Sequence, residues 1–330
     1  MKKIFALLLS AALLVTLLAA CGGGNTTDTD TDAQEPATDA STTQVEEQEP
    51  DTGDASKDDP LNQDEIGEKE LLVVSFGTSY NDSRRETIGA IEKAMQTAFP
   101  DYSVRRAFTS QIIIDHVKDR DGVTIDNVEQ ALERAVNNGV KTLVVQPTHL
   151  MNGLEYEELT DELAKYSDSF EKIAIGDPLL TSDADFEAVM TAITDATKDA
   201  TDGKTAICFM GHGTTADSNS VYSKMQTLLT DKGFNDYYVG TVEAIPSLDD
   251  VLAAVQKGNY EKVILRPLMI VAGDHANNDM AGDEDDSWKS TFEKAGYTVD
   301  CQVEGLGQLE AIQQLFVEHA KAAVASAEAE

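Results

Sequence analysis

Positive charge and cysteine are both scarce in this chain of 330 residues. Lys and Arg number 25 against 60 Asp and Glu, which gives a formal net charge of −35. Nucleic acid is therefore excluded as a partner, because its phosphates would be repelled. The three cysteines include no CxxC pair, which excludes a cysteine-rich zinc or iron–sulfur site. Cys208 and Cys301 either pair or stay free thiols, and the sequence leaves both alternatives open.

The short motifs of two large enzyme classes are missing as well. Neither GxGxxG nor GxxxxGK[ST] occurs, so the sequence predicts no nucleotide-binding loop of these kinds. No GxSxG elbow occurs, and Ser75 has no obvious catalytic partner, which argues against a serine hydrolase. The chemistry is therefore expected to come from other side chains.

The N-terminus is typical of an exported lipoprotein. Lys2 and Lys3 precede an apolar run over 5–18, and Leu18-Ala-Ala-Cys21 supplies small residues before a cysteine. The run is short for a membrane span. We expect residues 1–21 to be a signal peptide, with lipid on Cys21 anchoring the protein outside the cytoplasmic membrane. An ordinary signal peptide or a short membrane anchor is the alternative.

Residues 22–68 are rich in Gly, Thr, Asp, Glu, Ala, Pro and Gln and almost free of large apolar residues. Such a segment buries too little surface to offset its ordering entropy, so a disordered acidic linker is predicted. The folded part then follows as an N-terminal lobe over 69–202 and a C-terminal lobe over 203–330.

Strand-like and helix-like segments alternate through both lobes, which predicts crossover connections and mainly parallel sheets. The two halves also match each other. Ser75-Phe-Gly-Thr78 aligns with Gly211-His-Gly-Thr214, and the strand 141–147 aligns with 262–267, each ending in proline. The predicted fold class is α/β, with two similar lobes flanked by helices and the active site in the cleft between them.

Two of the five histidines, His149 and His212, stand where the chain leaves an apolar strand. Ligands of α/β folds bind just beyond the carboxyl ends of strands, and imidazole there can bind a metal or take a proton near neutral pH. His275 lies in a third polar loop, which we interpret either as a lid or metal path or as a solvated acidic loop. His116 and His319 lie on predicted helices and receive no function.

The turn after the first strand, Ser75 to Tyr80, offers backbone N–H groups and hydroxyls to an anionic ligand. A plain helix cap by Ser79, Asn81 or Asp82 is the alternative. Glycine on both sides of His212 removes bulk beside it, which suits a residue that faces a flat ligand.

Several long motifs together resemble the anaerobic sirohydrochlorin cobaltochelatases, which are class II tetrapyrrole chelatases. The similarity covers residues 70 to 325. It is carried by LVVSFGTSY (72–80), RAFTS (106–110), His149 with the polar residues after it, GDPLL (176–180), FMGHG (209–213), PLMIVAGDHANNDM (267–280) and DSW (286–288).

The resemblance implies two chelatase-type α/β lobes and ATP-independent insertion of Co²⁺, with Fe²⁺ as an alternative, into sirohydrochlorin. It implies that His149 is both base and metal ligand and that His212 is the second ligand. A carboxylate completes the expected set, with Asp177 as the first candidate and Glu243 as the second. The residues expected to bind the tetrapyrrole are Ser75, Gly77, Thr78, Ser79, Gly213 and His275, with Arg105 and Arg106 as further donors to its carboxylates.

Tetrapyrrole synthesis is cytosolic, whereas this chain carries a predicted export signal. The rival interpretation is therefore a non-catalytic tetrapyrrole- or metal-binding lipoprotein that serves uptake or handling. The sequence leaves open the physiological metal, the exact tetrapyrrole, the binding of haem and whether the protein forms a homo-oligomer.

Overall fold

Each half of the chain is built around a four-stranded parallel sheet in this computed structural model, which describes residues 52–329. The first sheet has the order β2-β1-β3-β4 and the second the order β6-β5-β7-β8, so the two lobes share one topology. The register also repeats, because Val74 pairs with Pro147 in the first sheet and Met210 pairs with Pro267 in the second. The predicted pair of similar parallel α/β lobes is therefore confirmed.

The strands are Lys69–Ser75 (β1), Ser103–Phe108 (β2), Thr142–Pro147 (β3), Lys172–Ile175 (β4), Thr205–Gly211 (β5), Tyr237–Thr241 (β6), Lys262–Pro267 (β7) and Thr298–Cys301 (β8). The α-helices are Asn81–Glu86 (α1), Ile88–Ala98 (α2), Gln111–Asp121 (α3), Val128–Asn137 (α4), Leu154–Ala164 (α5), Asp183–Thr197 (α6), Ser220–Asp231 (α7), Leu248–Val255 (α8), Trp288–Lys294 (α9) and Glu310–Ala329 (α10).

The central strands are continuously apolar because both of their faces are buried. In β1, Leu71 and Val73 pack into one core, whereas Leu72 and Val74 pack into another on the opposite face. Neighbouring residues of a strand point to opposite faces, so a strand covered by helices on both sides needs apolar residues at every position. This burial fixes β1 in the middle of its sheet, with its carboxyl end at the site described below.

Two helices do not keep to the lobes that the predicted boundary at residue 202 assigns them to. The C-terminal helix α10 returns to the first lobe, where it contacts β3, β4 and α2. Helix α6 instead contacts α7 of the second lobe, and the hydroxyls of Thr197 and Tyr237 lie 2.8 Å apart. One apolar core cluster therefore contains residues of both lobes, including Ile193 and Phe316.

Local features account for two further differences from the predicted elements. The apolar spacing of residues 81–99 predicts a single helix, but the helix is interrupted at Thr87, whose hydroxyl donates to the carbonyl of Ser83. Helix α3 was predicted only as the helix that carries His116, without bounds, and Ile112 on this helix is largely exposed. Exposed apolar residues weaken the helical periodicity from which a helix is recognised.

The disordered linker predicted over 22–68 is wrong for its last part, because residues 52–68 lie against the N-terminal lobe. Leu61 is buried in the main core, and the Asp58 side chain is buried in ion pairs. Composition did not indicate this, since one leucine and one aspartate anchor an otherwise polar segment. The signal peptide 1–21, Cys21 and linker residues 22–51 lie outside the described residues.

Within residues 52–329, no helix is long and apolar enough to span a membrane. Cys208 and Cys301 are both free thiols, and Cys208 is buried in β5. The structure thus decides between the two alternatives that the sequence left open for this pair.

Glu70 in β1 gives a stability prediction. Its carboxyl group is fully buried, and neither oxygen has a hydrogen-bond partner in the part of the chain that the structure describes. Burial raises the pKa of Glu70 from 4.5 to about 7, although the charge of Arg105 acts in the opposite direction. Because the folded state holds this proton more tightly than the unfolded state, ionisation destabilises the fold increasingly as the pH rises from 4.5 through 7.

We expect Glu70→Gln, which copies the protonated form, to stabilise the protein at pH 8 by up to roughly 3 kcal/mol. The gain should shrink at pH 5 and vanish near pH 4, where the wild-type carboxyl is protonated in both states. Urea unfolding of both proteins across this pH range measures the difference. A gain that does not depend on pH would contradict the assigned cause.

Candidate metal centre and active site

The polar loops of both lobes follow the carboxyl ends of the central strands, as predicted. His149 follows β3, His212 follows β5 directly, and His275 lies in the loop after β7. The two lobes meet through these loops. The amide of Ala272 donates to the hydroxyl of Ser83 at 3.0 Å, and a β-carbon at Gly273 would lie 3.1 Å from Oγ1 of Thr78.

The turn after β1 requires glycine at position 77. Gly77 has a φ of +103°, and a β-carbon there would lie 2.5 Å from the ring of Phe108. Arg84 donates to the carbonyl of Thr78, which fixes the turn. The hydroxyl of Ser75 is buried and accepts a 2.7 Å hydrogen bond from Thr148. Ser75 therefore holds the loop that carries His149, and its role in binding the substrate stays a prediction.

His149 has an unusual environment for a histidine. Both of its ring nitrogens are buried, and neither has a hydrogen-bond partner among residues 52–329. Burial lowers the pKa of His149 to about 4, and the carboxylate of Glu155 only partly opposes this effect. The ring is therefore neutral at pH 7, and one of its nitrogens keeps a lone pair. A buried polar group without a partner is costly and is typical of a functional position.

Asp177 stands at the strand end where it was predicted, after β4, and it is exposed. Its backbone carbonyl accepts hydrogen bonds from Nε2 of Gln146 at 2.9 Å and Nδ1 of His319 at 3.1 Å. His319, which was assigned no function, thus ties α10 to this loop. The backbone carbonyl of Asp177 therefore anchors the loop after β4 to β3 and α10.

His212 is oriented by its neighbour. Its Nδ1 lies 2.8 Å from the carbonyl oxygen of Gly213. Because a carbonyl only accepts, Nδ1 carries the proton and Nε2 keeps a free lone pair. Gly213 itself has a φ of +91°, and a β-carbon there would lie 2.9 Å from Ala244. This close packing brings the loop after β6 against His212.

Glu243 and His275 complete a group around His212. The amide of Glu243 donates to the carbonyl of His212, and the rings of His212 and His275 lie 4.6 Å apart. Nδ1 of His275 is bound by the carboxylate of Asp279 at 2.8 Å, which leaves Nε2 free. Within residues 52–329, these three are the one group of His, Cys, Asp or Glu whose ligand atoms all lie within 4.8 Å of one another.

The ligand set predicted from the sequence, His149, His212 and Asp177, is therefore not the group that the structure assembles. His212 is common to both sets, Glu243 was the second carboxylate candidate, and His275 was predicted only as a substrate-binding residue. All three grouped residues follow successive strands of one sheet, β5, β6 and β7. Since the carboxyl ends of parallel strands share one edge, the spacing of these strands was the signal that could have identified the group.

Arg105 and Arg106 do not reach the substrate, contrary to the prediction. Both side chains are fully buried in β2. Arg105 pairs with Asp126, and Arg106 pairs with Glu92 and Asp58. Their guanidinium groups form ion pairs in the interior of the first lobe. The turn after β1 therefore stays the predicted donor to the tetrapyrrole carboxylates.

A groove of about 620 Å³ lies away from this site, between α6 and α10. Its lining includes Thr191, Asp195 and Leu309 and none of the predicted site residues. This groove is therefore separate from the predicted site.

Two curated relatives resemble this chain over most of its length. A sirohydrochlorin cobaltochelatase of Salmonella typhimurium is 38% identical over 251 residues, which is 76% of this chain and 94% of the relative. The sirohydrochlorin cobaltochelatase CbiKC of Nitratidesulfovibrio vulgaris is 30% identical over 260 residues, which is 78% of this chain and 91% of the relative.

A solved structure shares the fold. SirB from Bacillus subtilis with Fe³⁺ matches with a TM-score of 0.57 and 14% identity, over 80% of this chain and 98% of SirB. The family model described as cobalt chelatase (CbiK) matches residues 69–325, which include both lobes and every strand-end residue discussed above. This chain therefore belongs to the cobalt chelatase (CbiK) family.

Proposed function

We propose that this protein inserts Co²⁺ into sirohydrochlorin or a closely related tetrapyrrole without ATP. The observation that carries the proposal is the group of His212, Glu243 and His275 at the strand ends of a cobalt chelatase family member. The relatives named above are sirohydrochlorin cobaltochelatases. The proposal extends their activity to this chain.

The three grouped residues suit a metal ion that the protein binds first and then releases to the ring. Two imidazole nitrogens and a carboxylate are good ligands for Co²⁺. Three protein ligands leave coordination positions open for water and then for the nitrogens of the ring. A closed set of protein ligands would hold the ion too tightly to transfer it.

His149 suits the proton transfer that accompanies insertion. The two pyrrole N–H groups of the ring lose their protons as Co²⁺ enters. A neutral imidazole with an unpartnered nitrogen can accept one of these protons. His149 lies on the first lobe and the metal group on the second, so a ring bound between the loops would meet a base and a metal from different lobes.

A rival from a different class is a non-catalytic lipoprotein that binds a tetrapyrrole or a metal for uptake or handling. The predicted export signal favours it, because tetrapyrrole synthesis is cytosolic. The neutral, unpartnered His149 favours the enzyme, since a carrier has no need of a proton acceptor.

Mixing the protein with a large molar excess of sirohydrochlorin and Co²⁺, and following the visible spectrum, separates the two. Conversion of more than one equivalent supports catalysis, and a shift that stops at one equivalent supports the carrier. Repeating the assay with Fe²⁺ tests the second metal, and adding haem to the same protein tests haem binding.

We also propose that the protein is exported and anchored by lipid on Cys21. The basis is the Leu18-Ala-Ala-Cys21 sequence, which follows a short apolar run. Expressed with its full N-terminus, the wild-type protein should sediment with membranes, and Cys21→Ser should remove the acyl chains and release it. Equal sedimentation of both proteins would contradict lipidation at this residue.

A further inference from the structure

A segment outside the part that the family model matches lies beside the site. Residues 52–61, called the strap below, precede Lys69, where the match begins. Backbone hydrogen bonds hold both ends of the strap against the first lobe. The amide of Asp82 donates to the carbonyl of Thr52 at 2.9 Å, and the amide of Arg106 donates to the carbonyl of Leu61 at 3.1 Å.

The middle of the strap supplies a buried carboxylate. Asp58 accepts from Nε of Arg84 at 2.6 Å and from the two terminal nitrogens of Arg106 at 2.7 and 3.0 Å. Arg106 is paired on its other side with Glu92. These four side chains are almost fully buried, and their two positive and two negative charges balance. Removal of Asp58 would leave an uncompensated guanidinium charge inside the protein.

The same arginine reaches the turn at the site. Nη1 of Arg84 donates to the carbonyl of Thr78 at 3.1 Å, and Nη2 donates to the side-chain oxygen of Asn81. Asn81 in turn donates to the carbonyl of Gly53 in the strap. One guanidinium group thus links the strap to the turn of residues 77–79. The bonds to Asp58 and to Thr78 use different nitrogens of one planar, rigid guanidinium group. When Asp58 holds this group in place, the position of the Thr78 carbonyl is therefore held as well.

The turn faces the second lobe close to the metal group. Thr78 lies opposite Gly273, two residues before His275. The turn from Ser75 to Tyr80 is predicted to offer N–H groups and hydroxyls to the carboxylates of the ring, whereas Arg105 and Arg106 are buried away from it. A shift of this turn would therefore move the ring relative to the metal.

We infer that the strap is part of the tetrapyrrole-binding apparatus and that Asp58 is a positioning residue, which acts through Arg84 on the turn of residues 77–79. This inference rests on the proposed function. It assigns a task to a segment that precedes the family match.

Asp58→Asn tests the inference, because it keeps the shape of the side chain and removes its charge. We expect the Kd for sirohydrochlorin and the KM to rise about tenfold, as for the loss of one hydrogen bond at the ligand. The affinity for Co²⁺ and kcat should stay near wild type. Equilibrium dialysis, calorimetry and steady-state kinetics measure the three quantities. Glu65→Gln, which changes an exposed carboxylate nearby, is the matched control.

Arg84→Lys covers the case in which Asp58→Asn does not fold. Lysine keeps the charge that balances Asp58, but one ammonium group cannot serve Asp58, Asn81 and Thr78 together. The same rise in Kd is expected. A lower melting temperature with an unchanged Kd would show that the strap only stabilises the fold, which overturns the inference. If the wild-type protein itself binds no sirohydrochlorin, the proposed function fails and the inference fails with it.

Discussion

Replacing His149 with alanine is expected to lower the rate of cobalt insertion by about 10² to 10⁴-fold, the usual contribution of a positioned acid or base. The reason is local. Neither ring nitrogen of His149 has a partner within the described residues 52–329, and the lowered pKa keeps the imidazole neutral at pH 7. Without it, a pyrrole proton has to leave to water. Steady-state rates with Co²⁺ and sirohydrochlorin in excess measure the effect.

His116→Ala is the control for this experiment, since His116 is an exposed histidine on α3. It should leave the rate unchanged. The Co²⁺ affinity of His149→Ala tests the second role that the family resemblance gave this residue. The structure predicts an unchanged affinity, because His149 is not in the metal group. Full activity of His149→Ala would contradict its assignment as the base.

Replacing His275 with alanine is expected to weaken Co²⁺ binding about 100-fold or more, since losing only a partner of a metal ligand already costs 10- to 100-fold. His275 supplies one of three ligand atoms that lie within 4.8 Å of one another. Asp279 binds Nδ1 of the ring at 2.8 Å, which leaves Nε2 for a metal. Calorimetric titration with Co²⁺ in the absence of tetrapyrrole measures binding separately from catalysis.

Asp177→Asn is the informative companion to His275→Ala. Asp177 was placed in the ligand set after the family resemblance, whereas His275 was placed there because it lies beside His212 and Glu243. We expect Asp177→Asn to bind Co²⁺ like the wild type. If it loses the metal while His275→Ala keeps it, the ligand set predicted from the sequence is the correct one.

The architecture of this protein could be predicted because its signals are local. The apolar run of β1 and the repeated strand-end prolines at 147 and 267 indicated buried parallel strands in two similar lobes. Strand ends also located His149 and His212, because the carboxyl end of a parallel strand is where an α/β fold binds its ligands.

The composition of the metal group depends on which loops meet, and a single sequence does not contain that information. Glu243 and Asp177 each follow a strand, so both were reasonable carboxylates. Only the close approach of the loop after β6, permitted by Gly213, brings Glu243 to His212. His275 joins them from the loop after β7, 63 positions further along the chain from His212.

Buried charge was the other source of error. Arg105 and Arg106 occupy strand positions between apolar residues, and arginine is rarely buried unless it is paired. Their partners include Asp58, which lies in a segment whose composition predicts disorder. An ion pair between distant segments produces no periodic pattern in the sequence. Neither the position of the strap nor the burial of these arginines could therefore be predicted.

A crystal of this protein soaked with Co²⁺ and measured at the cobalt absorption edge would show where the ion binds. We expect one strong anomalous peak in contact with Nε2 of His212, Nε2 of His275 and the carboxylate of Glu243. A peak bound instead by His149 and Asp177 would contradict it.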